Sequence, residues 1–125
     1  MFPAERPRRL RSSAAVRNLV AENRVDPQQL IQPLFVKEGN EEPRQIKGLP
    51  GVLQHNLETI SAAVDEVLAA GVGGIMLFAI PTKRDASGSE ACNPNGILNV
   101  AVRQVAAQVG DRAVVIADLC LDEFT

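Results

Sequence analysis

The 125 residues include no tryptophan or tyrosine and only four phenylalanines, so any core must be built from valine, leucine, isoleucine and alanine. Branched and small apolar residues of this kind suit a parallel sheet covered by helices. Cysteine is also scarce: Cys92 and Cys120 are the only two. The chain has one histidine, His55, and three lysines, Lys37, Lys47 and Lys83, which leaves few imidazole bases or amine nucleophiles to consider. Neither charge sign dominates: the formal net charge is -2, and no aromatics interleave with the basic residues as a single-strand nucleic-acid binder requires. Nucleic acid is therefore not an expected partner.

No apolar stretch approaches the roughly 20 residues of a spanning helix, and no membrane association is expected. The basic opening "MFPAERPRRLR" is not followed by an apolar run, so it does not read as a secretory signal. These two absences lead to a cytoplasmic expectation, in which both thiols stay reduced. Metal binding or plain burial then ranks above a disulfide.

The residues that are present organise themselves clearly. Pro3 and Pro7, among Arg6, Arg8, Arg9 and Arg11, oppose a regular helix until "SSAAVRNLVAEN", where Ser12 or Ser13 can cap and Val16, Leu19 and Val20 form one apolar stripe. Residues 1–29 read as an arm with a helix. Asp26 and Pro27 then offer an N-cap and a first helical position for a short turn. Residues 30–36, "LIQPLFV", read as the first strand, with Pro33 at its start or at an unpaired position. Residues 37–56 are polar and broken by glycine and proline, a long loop with at most short extended pieces.

"NLETISAAVDEVLAAG" is the clearest helix, with Asn56 or Thr59 near its start, Ile60, Val64, Val67 and Leu68 at helical spacing, and Gly71 as a left-handed stop. "GGIMLFAI" follows without polar alternation, as a strand covered on both faces reads. A second polar loop over residues 81–95 leads to the helix "ILNVAVRQVAAQVG", with Ile97, Val100, Ala101 and Val105 facing in and Gly110 closing it. "RAVVIADLCL" reads as a third buried strand.

The loops after strands are thus long and polar, and those after helices, residues 72–74 and 111–112, are short. A parallel α/β enzyme that builds its site at the carboxyl ends of its strands has this asymmetry. No strand end carries G-x-G-x-x-G, and "GVGG" falls between a helix and a strand, which argues against a dinucleotide fold. The expected fold is a TIM (β/α)8 barrel, with residues 30–125 as its first part. A whole barrel needs roughly 250 residues, so about the first three strands are covered.

Asp118 falls where the third strand should leave the barrel, on the face where charge is useful. Position alone leaves open whether it acts in chemistry or bonds a neighbouring loop. Cys120 and Asp122 lie two apart, on one side of an extended chain, so a thiolate and a carboxylate could reach one ion. Zinc wants three or four protein ligands, and by spacing alone a structural cysteine beside a solvated acid is favoured. Lys37 invites a Schiff-base reading, but Glu38, Glu41 and Glu42 should keep it charged. Lys83 and Arg84 read as carboxylate binders or solvent-facing residues, His55 as a surface residue and Cys92 as incidental.

In order and spacing, "RPRRLR", "LIQPLFVKEG", "GLPGV", "LFAIP", "GSEA" and "ADLCLDEFT" resemble the amino-terminal part of the porphobilinogen synthase (5-aminolaevulinate dehydratase) family. The resemblance implies a barrel enzyme of tetrapyrrole and haem biosynthesis that condenses two molecules of 5-aminolaevulinate into porphobilinogen with loss of water. It implies that Asp118 matches the active-site aspartate of the family's Asp-x-Cys-x-Cys segment and Cys120 its first metal-binding cysteine. Asp122 stands in place of the second cysteine, a mixture of the family's zinc-binding and zinc-free patterns. Zinc is the expected metal, held more weakly because a carboxylate replaces a soft thiolate, and magnesium can occupy other sites.

The family's two Schiff-base lysines match none of the three here, so the chain is expected to stop inside an active site and to be inactive alone. The arm, by the same resemblance, wraps a neighbouring subunit of a homo-octamer or hexamer. Two rival readings are an inert product acting only through its arm, and another barrel lyase or aldolase.

Overall fold

The structure is a computed structural model that describes residue 1 and residues 3–125. Among the described residues, five strands form one sheet: β1 (Ile31–Lys37), β2 (Arg44–Gln45), β3 (Leu53–His55), β4 (Gly74–Ile80) and β5 (Val114–Ala117), in the spatial order β2-β3-β1-β4-β5. β1, β4 and β5 are parallel neighbours, β3 runs parallel to β1 on its other side, and β2 is antiparallel to β3. The helices are α1 (Ala14–Leu19), α2 (Ile60–Ala69), α3 (Ser89–Cys92) and α4 (Ile97–Val109). No helix is long and apolar enough to cross a membrane among the described residues.

Period-two alternation divides the sheet into two faces. Leu34 and Val36 of β1 and Ile75, Leu77 and Ala79 of β4 are buried in one cluster with Ile60, Ala63, Val64 and Val67 of α2 and Ile97, Ala101, Val105 and Val109 of α4. The alternate residues Phe35, Met76, Phe78 and Ile80 lie on the other face and are only half-buried. The expectation that β4 is covered on both faces is thus corrected: helices cover one face, and within these residues no wall stands opposite the other.

β5 departs further from the expected third buried strand. It is an edge strand of four residues with none buried, and Val114 is 64% exposed. Its apolar run is real, but only β4 lies beside it.

Pro33 sits inside β1, opposite Met76, without breaking the ladder. The reason is parity. Leu30 accepts from the Gly74 N–H at 3.1 Å and Glu38 donates to the Ile80 carbonyl at 2.9 Å, so even-numbered positions face β4. The N–H that Pro33 lacks would have pointed to the opposite side, where β3 pairs only with Phe35 and Val36. The Pro33 carbonyl on that side accepts from its neighbour's Gln32 Nε2 at 3.1 Å.

Local signals act as expected at the element ends. Ser13 Oγ accepts from the Val16 N–H at 3.2 Å. Asp26 Oδ1 accepts from the Gln28 N–H while Gln29 Oε1 accepts from the Asp26 N–H, both at 3.0 Å, a complete capping box. Gly71 ends α2 at φ +76°. Two glutamines fasten α4 to α2: Gln104 Nε2 donates to the Leu57 carbonyl at 2.7 Å, and Gln108 Nε2 donates to the Ser61 carbonyl and Asp65 Oδ1, each at 2.8 Å. The arm is different. Of its expected apolar stripe Val16 is half-buried while Leu19 and Val20 are exposed, and Leu10 and Val25 beside it are exposed too.

Candidate active site at the strand ends

The loops that follow β1, β4 and β5 are laced together across the carboxyl end of the sheet. Glu38, just past β1, accepts from the Thr82 N–H at 2.8 Å and the Thr82 hydroxyl at 2.7 Å, just past β4. These two donors, the backbone one first, hold the Glu38 carboxyl below the usual carboxylate range. The loop after β4 closes on Asp85, whose Oδ1 accepts from the Ser87 N–H at 3.0 Å, the Ser87 hydroxyl at 2.8 Å and the Ser89 N–H at 3.0 Å. The Ser89 hydroxyl donates to Asp85 Oδ2 and is the largest cause of a strongly lowered Asp85 pKa.

That loop in turn holds the turn after β5. The Asp85 N–H donates to the Phe124 carbonyl at 3.2 Å, and Phe124 is only 3% exposed. The loop after β1 returns to α2 through Asn56, the one buried polar residue among those described. Its Oδ1 accepts from the Glu58 and Thr59 N–H groups at 3.0 and 2.8 Å, and its Nδ2 donates to the carbonyls of Asn40 and Glu41 at 3.2 and 3.1 Å.

Asp118 stands one residue beyond the last pair of the ladder, Leu77 with Ala117, and its N–H reaches the Leu77 carbonyl at 3.5 Å. By alternation it follows Ile116 on the face not covered by helices, at the level of Phe78. Phe78 and its partner Phe35 stack with centroids 5.2 Å apart. Asp118 is half-buried, and its carboxylate has no hydrogen bond or ion pair among the described residues. The sheet therefore delivers an uncommitted acid beside an apolar aromatic layer. The two phenylalanines are missed when the strands are read only as apolar runs, although the period-two spacing of "PLFVK" and "MLFAI" places them on this face.

Beyond Asp118 the expected geometry is not kept. The strand ladder stops at Ala117, and residues 121–124 form a turn in which the Phe124 and Thr125 N–H groups both donate to the Leu121 carbonyl, at 2.8 and 3.1 Å. Burial of Phe124 draws the chain out of the strand, so Cys120 and Asp122 do not lie along one side of an extended segment. Cys120 is a half-buried free thiol, and Asp122 is exposed. Among the described residues no three His, Cys, Asp or Glu side chains gather as a metal site would need.

The other candidates find plainer places. Lys37 is half-buried, lining a cleft of about 460 Å³ with Glu38, Asn40, Asn56 and Glu58, but it forms no ion pair with Glu38, Glu41 or Glu42. Lys83 approaches Glu90 at 4.0 Å, and Arg84 is exposed. Cys92 is an exposed free thiol. His55 is not the surface residue its polar neighbours imply. It is half-buried, its Nδ1 is shielded without a partner among the described residues, and burial lowers its pKa against the opposing charge of Glu66.

Residues 4–125 match the family model for Delta-aminolevulinic acid dehydratase. The chain belongs to that family. It is 52% identical to the Delta-aminolevulinic acid dehydratase of Streptomyces coelicolor over 99% of this chain and 48% identical to that of Mycobacterium tuberculosis, again over 99%. In both cases it spans only 38% of the relative's length. The Toxoplasma gondii delta-aminolevulinic acid dehydratase, solved with its reaction product porphobilinogen, superposes with a TM-score of 0.86 at 33% identity. That match covers 97% of this chain and 34% of the solved one. The sheet described above is thus part of a dehydratase TIM barrel, and the laced loops lie at the carboxyl ends of its strands.

Proposed function

We propose that the full-length protein is a porphobilinogen synthase, which condenses two molecules of 5-aminolaevulinate with loss of two waters, and that residues 30–125 supply the first part of its barrel. The family match over residues 4–125 carries this reading. Asp118 is the active-site acid. Its position beside the Phe35–Phe78 stack supports the role, since apolar rings exclude water and strengthen a carboxylate's interaction with a cationic or protonated substrate group. The amine nucleophiles come from outside this chain, because Lys37, Lys47 and Lys83 match none of the family's Schiff-base lysines.

Cys120 and Asp122 are proposed as part of a metal site, with zinc as the metal and magnesium elsewhere. A thiolate and a carboxylate are chemically suited to zinc but supply fewer than the three or four ligands it takes, so the remaining donors lie outside these residues. When bound, such a metal polarises a substrate oxygen or lowers the pKa of a water. Within this chain, Cys120 and Asp122 would hold the ion, and the Asp118 carboxylate would take a proton from, or return one to, the bound substrate.

The arm, residues 1–29, is proposed to bury its exposed Leu10, Leu19, Val20 and Val25 on a second subunit of a homo-octamer or hexamer in the cytoplasm. The test is direct. Purified full-length protein given 5-aminolaevulinate with zinc or magnesium should yield porphobilinogen, detected by its pyrrole colour reaction, and D118N should lose at least about a hundredfold in kcat. No product with either metal sinks the reading. C120S should lower bound zinc per subunit, measured by elemental analysis.

A further inference from the structure

The loop after β4 has a built-in knot, and the knot touches the segment that carries the proposed site. Asp85 gathers four donors from Ser87 and Ser89, more than any other carboxylate among the described residues, yet it pairs with no cation there. The turn so closed includes Gly88 in the left-handed region at φ +63°, where the space for a side chain is already filled: a Cβ there would lie 3.3 Å from Leu121 Cδ2, 3.5 Å from Phe124 Cβ and 3.6 Å from Thr125 Cγ2. The knot's outer side is thus moulded to the turn after β5. Its one backbone bond to that turn, the Asp85 N–H to the Phe124 carbonyl at 3.2 Å, starts from the residue whose side chain ties the knot.

β5 cannot hold this segment by itself. The strand has paired with β4 for only four residues, the ladder frays at the 3.5 Å contact of Asp118, and residues 118–120 have no regular structure. What fixes the chain beyond Ala117 is the buried Phe124 and its contact with residues 85–88. Asp118, Cys120 and Asp122 are therefore placed from two ends, by β5 on one side and by the Asp85 knot on the other.

We propose that Asp85 is a positioning residue for the active site: by tying residues 85–89 into a fixed turn that grips Leu121, Phe124 and Thr125, it sets the place of the segment from Asp118 to Asp122. This rests on the reading of that segment as part of a porphobilinogen synthase site. The experiment uses the full-length enzyme and its D85A and D85N variants. Asparagine keeps the Oδ1 acceptor that receives three of the four donors, so it should act as the rescuing substitution.

In D85A, amide hydrogen exchange of residues 121–125 should be about tenfold faster, while peptides from α2 and α4 exchange at the wild-type rate. The kcat should fall about tenfold or more with KM for 5-aminolaevulinate within about twofold of wild type, because misplaced catalytic groups cost rate rather than binding. D85N should recover both to within about threefold of wild type. Unchanged exchange in D85A, faster exchange without loss of kcat, or a D85N enzyme as impaired as D85A would each overturn the positioning role while leaving the enzyme's assignment intact. A wild-type enzyme that makes no porphobilinogen would instead sink the assignment, and the role of Asp85 in that reaction with it.

Discussion

Replacing Asn56 with alanine should loosen the start of α2 and the loop after β1 together, because one side chain serves both. The Oδ1 bonds to the Glu58 and Thr59 N–H groups cap the turn of residues 57–59 that leads into α2 in the manner of an N-cap, and losing such a cap costs about 1 kcal/mol. The Nδ2 bonds to the Asn40 and Glu41 carbonyls are part-buried, as the Oδ1 bonds are, and as neutral bonds that exchange with water on opening each contributes about 0.5 kcal/mol. The sum is about 2 kcal/mol, which corresponds to roughly thirtyfold in a local opening equilibrium.

The assay is amide exchange of Glu58 and Thr59, resolved by fragmentation mass spectrometry, because these two protons are the ones that Asn56 protects. N56A should accelerate both by about thirtyfold. N56D separates the two functions: its carboxylate still accepts from Glu58 and Thr59, but it presents charge rather than an N–H to the Asn40 and Glu41 carbonyls. Protection of Glu58 and Thr59 should therefore survive in N56D while the loop amides of residues 38–42 exchange faster. Wild-type protection of Glu58 and Thr59 in N56A, or their equal loss in both variants, would refute the reasoning.

Leu77 is fully buried between the sheet and its helices, and L77A should lower unfolding stability by about 2–5 kcal/mol in urea titration through lost transfer energy and a cavity. Gly73 lies where a Cβ would come within 1.9 Å of the Gln28 carbonyl, so G73A must displace the turn at residues 27–29 and should lower the thermal midpoint more than G51A. At Gly51 nothing lies within 4 Å and only the positive φ of 81° opposes alanine. The depressed pKa of Glu38 gives a defined pH dependence: its contribution is complete above its unfolded value of about 4.5 and is lost as pH falls through the lower folded value. T82V, which removes the hydroxyl but keeps the N–H, should move the Glu38 titration part of the way back towards 4.5 by carboxyl carbon NMR, and no movement would contradict the assignment of that donor.

The amino-acid sequence by itself determined the main elements and their order, while the short β2, β3 and α3 lie within stretches that read as loops. Helical spacing of Ile60, Val64 and Val67, caps at Ser13 and Asp26, and the stop at Gly71 are read from neighbours within a turn of each other, and they sit where local chemistry puts them. Long loops after strands and short ones after helices likewise marked the carboxyl end of the sheet as the one where loops meet, because loop length is a property of the chain. The motifs in order carried the family, and Asp118 stands just past a strand end, where its position in the chain predicts it.

Tertiary structure decided what depends on partners distant in sequence. Whether β4 and β5 are covered on both faces is a matter of what stands opposite, and an apolar run cannot specify it. The turn that removes Asp122 from an extended line with Cys120 exists because Phe124 finds a buried place against Gly88, some thirty-six residues earlier in the chain. His55 loses solvent through packing that its polar neighbours in sequence conceal. Local rules fix conformation over a few residues, but burial and the meeting of strand-end loops are set by contacts that only the assembled sheet and its helices create.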